Sequence, residues 1–283
     1  MLGFARFAVK SRLNAGVLAA GLAVLPMLYA VSAALVALVA LRQGATAGTR
    51  VLLAAMAGAL VSWQLTGMVL PLLVLPLTAV LALAMRRFQD WSALLLFAAL
   101  LGIVLSIIAQ QLMGDRFTAI VSQIQAVMAP DPQQMGWQVL EAIKPYAAFL
   151  VTTAEVFEAL LCVLLARYWQ AGLYNPGGLR AEFHRLRIGG QSLWLLLGAI
   201  IVSWWLQPAA LLLLLLPLVF AGVALVHALV TRQKLGGQWL VAFYLAIILF
   251  NQFMLPLLVL VAVADGAIDI RARLAKQPDQ DDK

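Results

Sequence analysis

Charge is scarce in this sequence. Asp, Glu, Lys and Arg make up 11% of its 283 residues, where soluble domains carry about 25%. Cysteine occurs once, at Cys162 inside an apolar segment, so no internal disulfide can form and the thiol reads as a small buried group. With two histidines, His184 and His227, any metal site would rest mostly on carboxylates, and none is assigned. The chain holds no Gly-x4-Gly-Lys phosphate loop, no Gly-x-Ser-x-Gly and no His-Glu-x-x-His. Those absences exclude an ATPase within the chain and leave no catalytic residue to name. We expect neither enzymatic activity nor a cofactor.

What is present is apolar. Hydrophobic residues reach 64%, against about 45–50% in soluble proteins. A chain of this length cannot hide so much apolar surface in an aqueous core. The expected fold class is therefore all-α, a polytopic transmembrane helical bundle with the lipid bilayer as its first partner. Nineteen basic and twelve acidic residues leave a net charge of +7. In such a protein the basic residues sit in short loops beside the headgroups. No basic helix or aromatic-spaced strand points to nucleic acid.

A crossing takes about 20 helical residues. The basic stretch Met1–Asn14 precedes the apolar run Ala15–Leu41. That run is longer than a signal-peptide core of about 7–15 residues, so it reads as a first span bent at Pro26. Gly44–Arg50 reads as a short loop. Val51–Met85 is too long for one crossing, and Trp63, Gln64, Gly67 and Pro71 mark a turn between Val51–Thr66 and Met68–Met85. Trp91–Gln111 is a fourth span. In Gly114–Pro145 the residues Phe117, Ile120, Val121, Ile124, Val127 and Met128 share one helical face, which reads as an amphipathic interfacial or re-entrant segment.

Tyr146–Ala166 follows as a span, then a polar loop from Arg167 to Gly190. Gln207-Pro208 splits the next apolar run into Ser192–Leu206 and Ala209–Val230, and Trp239–Ala264 closes the set. The expectation is about eight helices in one domain, residues 1–264. A charged cytoplasmic tail, 265–283, follows and is disordered from Gln277 to Lys283. Asp265 and Asp269 at its start read as solvated, and His227 as a polar tip at headgroup level. With eight crossings the basic residues fall nine on one side and ten on the other, so they do not orient the chain. The first helix, preceded by Arg6, Lys10 and Arg12, places both termini in the cytoplasm.

The strongest functional pointer is Glu155 with Glu158. Three residues apart, they share a helical face deep inside a span, where a lipid-facing carboxylate costs roughly 2.5–3.5 kcal/mol. Thr152 and Cys162 extend that face. Two readings stand. The pair is a proton or cation relay or an anchor for a cationic ligand, or it is hydrogen-bonded to Gln64, Gln110, Asn251 or Gln252 and locks helices together. Asn251-Gln252, with Pro256, is a second polar interruption that either unwinds its helix toward a ligand or forms a kink satisfied by neighbours.

The loop after Ala166 is the most distinctive stretch. Tyr168, Trp169 and Tyr174 suit the membrane interface, and Asn175-Pro176-Gly177-Gly178 a tight turn. Leu179, Phe183 and Leu186 then form one stripe of a short interfacial helix, with Arg180, His184 and Arg187 forming a basic one. That face either anchors the chain to lipid or binds a phosphate or an acidic partner. The run from Arg167 to Arg187, together with the Pro71–Arg87 segment, resembles the YybS-like family of uncharacterised bacterial multi-pass membrane proteins. That family is distantly similar to the substrate-binding membrane subunits of energy-coupling-factor transporters. The resemblance implies a helical bundle in a bacterial inner membrane with a ligand pocket among its spans, and it transfers no site residue.

The leading expectation is a small-molecule or lipid binding or transport subunit, with Glu155, Glu158, Asn251 and Gln252 as ligand-facing residues. Its partners would be a small hydrophobic or cationic ligand and a membrane partner protein. The alternative is a non-transporting scaffold or regulator of cell-envelope assembly.

Overall fold

A computed structural model describes residues 2–128 and 131–275, with Arg12, Leu274 and Ala275 described by backbone alone. The predicted tail from Gln277 to Lys283 lies outside these residues. The described chain is helical throughout, with no strand. In order, the helices are α1 (Leu2–Ala8), α2 (Arg12–Val24), α3 (Tyr29–Gln43), α4 (Ala45–Thr66), α5 (Leu70–Phe88), α6 (Trp91–Met128) and α7 (Met135–Ile143). They continue as α8 (Ala147–Tyr174), α9 (Gly178–Arg185), α10 (Gln191–Leu206), α11 (Leu211–Arg232), α12 (Gln238–Leu249), α13 (Asn251–Ile268) and α14 (Ile270–Ala275). Six helical stretches among the described residues are long and apolar enough to cross a membrane: 45–66, 70–88, 91–128, 135–174, 208–232 and 251–268. This is a multi-pass helical membrane protein.

The first apolar run does not cross. Pro26 lacks the N–H that would continue the helix, and Met27 takes a left-handed φ of 67°. The chain folds back there instead of bending, so α2 and α3 form a hairpin of 13 and 15 residues. Ser32 Oγ donates to the Ala19 carbonyl at 2.7 Å and ties the limbs. Small residues let this hairpin sink into the bundle. Ala15, Ala19 and Ala23 lie on one stripe of α2, all fully buried. Gly58 of α4 faces that helix so closely that a Cβ there would stand 2.1 Å from the Ala20 carbonyl oxygen. Every residue of α3 from Ala33 to Val39 has no exposed surface.

The turns at Gly67 and at Gln207-Pro208 fall where the sequence placed them. Gly67 adopts φ 72°, and Gln207 precedes a 3-10 turn that starts α11. Residues 45–50, expected as a loop, are the opening turns of α4, since Gly44 alone (φ 88°) reverses the chain. Trp239–Ala264 is not one helix but α12 and α13, broken at Phe250. At 12 residues α12 is about 18 Å long, too short to cross a core of about 30 Å.

The expected interfacial segment beyond Gln111 is a straight continuation of α6, because no proline occurs before Pro130. With 38 residues this helix is about 57 Å long. Its far half leaves the bundle, and α7 folds back on it, with Gln125 Nε2 donating to the Trp137 carbonyl at 3.1 Å. Ile120, Ile124 and Val127 of the predicted apolar face are exposed there. At the other end α13 runs on through Asp265. That residue is not solvated: it is 2% exposed and paired with Arg271 at 3.0 Å.

The α2–α3 hairpin also resolves the charge tie. Because both its limbs start and end at the same end of the bundle, Arg6 and Lys10 join the arginines at the ends of α3, α5, α8, α11 and α13. Contacts knit that end together. Phe4 meets Trp169 edge-on at 5.9 Å, Arg86 donates to the Leu41 carbonyl at 2.6 Å, and Arg42 lies 4.4 Å over the Tyr174 ring. Arg187 pairs with Asp269 at 2.5 Å and Arg232 donates to the Arg271 carbonyl at 3.1 Å. Among the described residues, Arg116 and Lys144 are the basic side chains at the opposite end.

Candidate functional site

The carboxylate pair lies where α8 passes the tip of the buried hairpin. Tyr29 opens α3 directly after the Leu25–Leu28 turn, and its hydroxyl donates to Glu158 Oε2 at 3.2 Å. One turn along α8, Cys162 Sγ donates to the Ala30 carbonyl at 3.4 Å. Glu155 is 9% exposed, and its Oε1 is buried without a hydrogen-bond partner. Thr152 is buried on the same face, and Thr78 of α5 places a buried hydroxyl beside Cys162. The helix-locking reading therefore gains a real partner, Tyr29, in place of Gln64, Gln110, Asn251 or Gln252. Gln64, Asn251 and Gln252 are exposed, and the last two belong to the helix break at Phe250, away from α8. Among the described residues no three of His, Cys, Asp and Glu gather into a metal site.

A second region lies at the basic end. The Asn175–Gly178 turn forms as its residues dictate: Gly177 takes φ 86° and the Gly178 N–H bonds to the Asn175 carbonyl at 2.9 Å. It swings α9 back beside α8. The polar loop begins later than expected, since α8 stays helical to Tyr174. Of its three aromatics, Tyr168 and Tyr174 are half exposed, as interfacial residues should be, whereas Trp169 is 2% exposed and packs on Phe4. The basic stripe is also divided. Helix α9 ends at Arg185, so Leu186 and Arg187 leave the helical register, and Arg187 turns to Asp269 and the Gly266 carbonyl.

What remains of the stripe faces a groove of about 830 Å³. Its wall is Leu161, Leu164 and Leu165 of α8, Leu179 and Phe183 of α9, and Leu240 of α12. Its rim carries Tyr168, Arg180, His184, His227, Thr231 and Tyr244. The rim is preorganised. His227 Nε2 and the Tyr244 hydroxyl share a hydrogen bond of 2.8 Å, Phe183 meets the His227 ring edge-on at 5.6 Å, and Arg180 donates to Thr231 Oγ1 at 3.0 Å. Burial, with the Arg180 guanidinium, the His227 ring and the Arg271 guanidinium around it, holds His184 below the usual histidine range. Glu155 and Glu158 do not line this groove.

His227 and Tyr244 were not singled out as site residues, and no local pattern joins them: they meet only because α12 folds back along α11. Chemically the region is an apolar slot with a hydrogen-bonding mouth that carries one guanidinium group, that of Arg180. No family model, curated protein or solved structure matches the chain.

Proposed function

We propose that this protein binds an amphiphile with an anionic head, the chain lying along α8 and the head held by Arg180, His184 and His227. The observation that carries the reading is the groove, in which an apolar wall ends at a hydrogen-bonded rim that carries the Arg180 guanidinium. The same geometry favours binding over catalysis, since the rim offers charge and hydrogen bonds without an activated nucleophile. With the arginine-rich end placed in the cytoplasm by the positive-inside rule, the groove opens to the inner leaflet. A bacterial inner membrane and a ligand-binding subunit, as the YybS-like resemblance implies, agree with this reading.

Native mass spectrometry of the chain in nanodiscs of mixed neutral and anionic lipids tests it. Anionic lipid should be retained, and Arg180→Gln with His184→Asn should weaken retention about tenfold or more, in line with a charge-assisted contact. Equal retention of neutral and anionic lipid would end the proposal. The pH dependence has a defined sign. His184 is neutral when free, an anionic head raises its proton affinity, and binding therefore takes up a proton. Affinity should rise as the pH falls through and below the usual histidine range, and His184→Asn should reduce that dependence, with His227 carrying what remains.

The scaffold reading has its own support in the projecting α6–α7 pair, whose Val127, Met128 and Met135 are 82%, 75% and 80% exposed. Val127→Asp with Met135→Asp should then release a co-purifying membrane partner while leaving lipid retention intact.

A further inference from the structure

On the far side of α9 from the groove lies a polar cleft of about 470 Å³. Its charged and amide lining is Arg86 and Gln89 from the end of α5, Arg167 and Gln170 from α8, and Glu182 and Arg185 from α9. Three guanidinium groups from three helices share this space with a single carboxylate. Arg86 and Arg167 are tied to groups of other helices, and the exposed Arg185 to its own helix. Arg86 is bound to the orphan Leu41 carbonyl at the end of α3 at 2.6 Å. Arg185 Nε bonds to the Ala181 carbonyl at 3.2 Å, and Arg167 pairs with Glu182 and Gln170. Glu182 is already shared, because it also accepts from Trp91 Nε1 at 3.4 Å.

Like charges fixed in a common cleft repel, and one shared carboxylate neutralises one of the three. Arg167 adds a second sign of incompleteness, a buried Nε without an acceptor. An ordinary topology-setting arginine needs none of this: it lies loose in the headgroups. We propose that this cleft is a binding site for a phosphate group, with Arg86, Arg167 and Arg185 supplying the charge and Gln89 and Gln170 its additional donors. A dianionic phosphate balances the two uncompensated guanidinium groups, and arginine forks match its oxygens. The phosphate is either that of a soluble monoester or that of a lipid head reaching round the end of α5. The site is separate from the groove, and Arg180 takes no part in it.

The test uses the full chain in nanodiscs of neutral phosphatidylcholine, with thermal unfolding as the readout. Inorganic phosphate and glycerol phosphate are titrated against chloride at equal ionic strength, and a parallel set of discs carries phosphatidic acid. In at least one arm the phosphate should raise the unfolding temperature. Arg185→Gln should weaken that effect about tenfold, and Arg86→Gln with Arg185→Gln should abolish it. Lys234→Gln, on the same end but outside the cleft, should leave it unchanged, and the phosphatidic acid arm is read in the Arg180→Gln, His184→Asn background, so that lipid held in the groove does not enter it. Stabilisation by soluble phosphate identifies a monoester as the source, and stabilisation by phosphatidic acid alone identifies a lipid head. The proposal is overturned if no arm responds, or if Lys234→Gln lowers the response as much as Arg185→Gln does.

Discussion

The molecule contains two short apolar helices followed by a sharp break, α2 before α3 and α12 before α13, and these two have opposite fates. The first is swallowed, with α3 closed off on every side by α2, α4, α5 and α8. The second lies on the outside, and no residue of α12 is buried. Hydrophobicity does not separate them, since both are apolar. Side-chain size does. The α2 limb presents alanines that allow backbones to approach, whereas α12 presents Trp239, Val241, Leu245 and Ile248, all more than half exposed. In lipid there is no hydrophobic gain from moving a leucine from bilayer to protein, so close packing of small residues decides what is taken inside.

Substitutions can break this contrast. The largest effect is expected from Gly58→Val, which drives a side chain into the Ala20 carbonyl. It should cost roughly 3 kcal/mol or prevent folding, read by thermal unfolding in detergent and by the yield of monodisperse protein. A normal melting curve for this variant would mean that α2 does not lie against α4. Next is Tyr29→Phe, which strips Glu158 of its donor at the hairpin tip. It should cost about 1–3 kcal/mol, and adding Glu158→Leu should recover part of the loss, because removing both partners leaves no orphaned group. Ile248→Ala on α12 should change stability by less than about 0.5 kcal/mol. A loss similar to that of Tyr29→Phe would show that α12 is packed after all.

Much of the architecture was legible because bilayer thickness limits helix length and Gly or Pro marks the turns. The reversals at Gly67, Gln207-Pro208 and Asn175–Gly178 are local chemistry, and local chemistry can be read along the chain. Pro26 shows the limit. A proline in an apolar run permits either a bend or a reversal, and the choice is made by Ala15, Ala19 and Ala23 meeting Gly58 in another helix. The carboxylate pair was visible as a costly feature, but its partner Tyr29 stands 129 residues away in sequence. The α9 basic stripe was readable only while it was helical, and Arg187 falls beyond the helix end. The Phe250 break has no glycine or proline at its own position, so Asn251 and Gln252 signalled a disturbance there without its form.

The reversal at Pro26 bears on how the chain is threaded into its membrane. A hairpin that enters and leaves by one face is silent in the alternation of sides: it adds two helices without moving any later loop across. The α2–α3 hairpin has that property, so it could be lengthened, shortened or lost while every remaining segment kept its side. A full crossing has no such freedom, because removing α4 alone would invert everything after it. Insertion is accordingly a problem of placing the long stretches, with the α2–α3 hairpin free to settle inward afterwards.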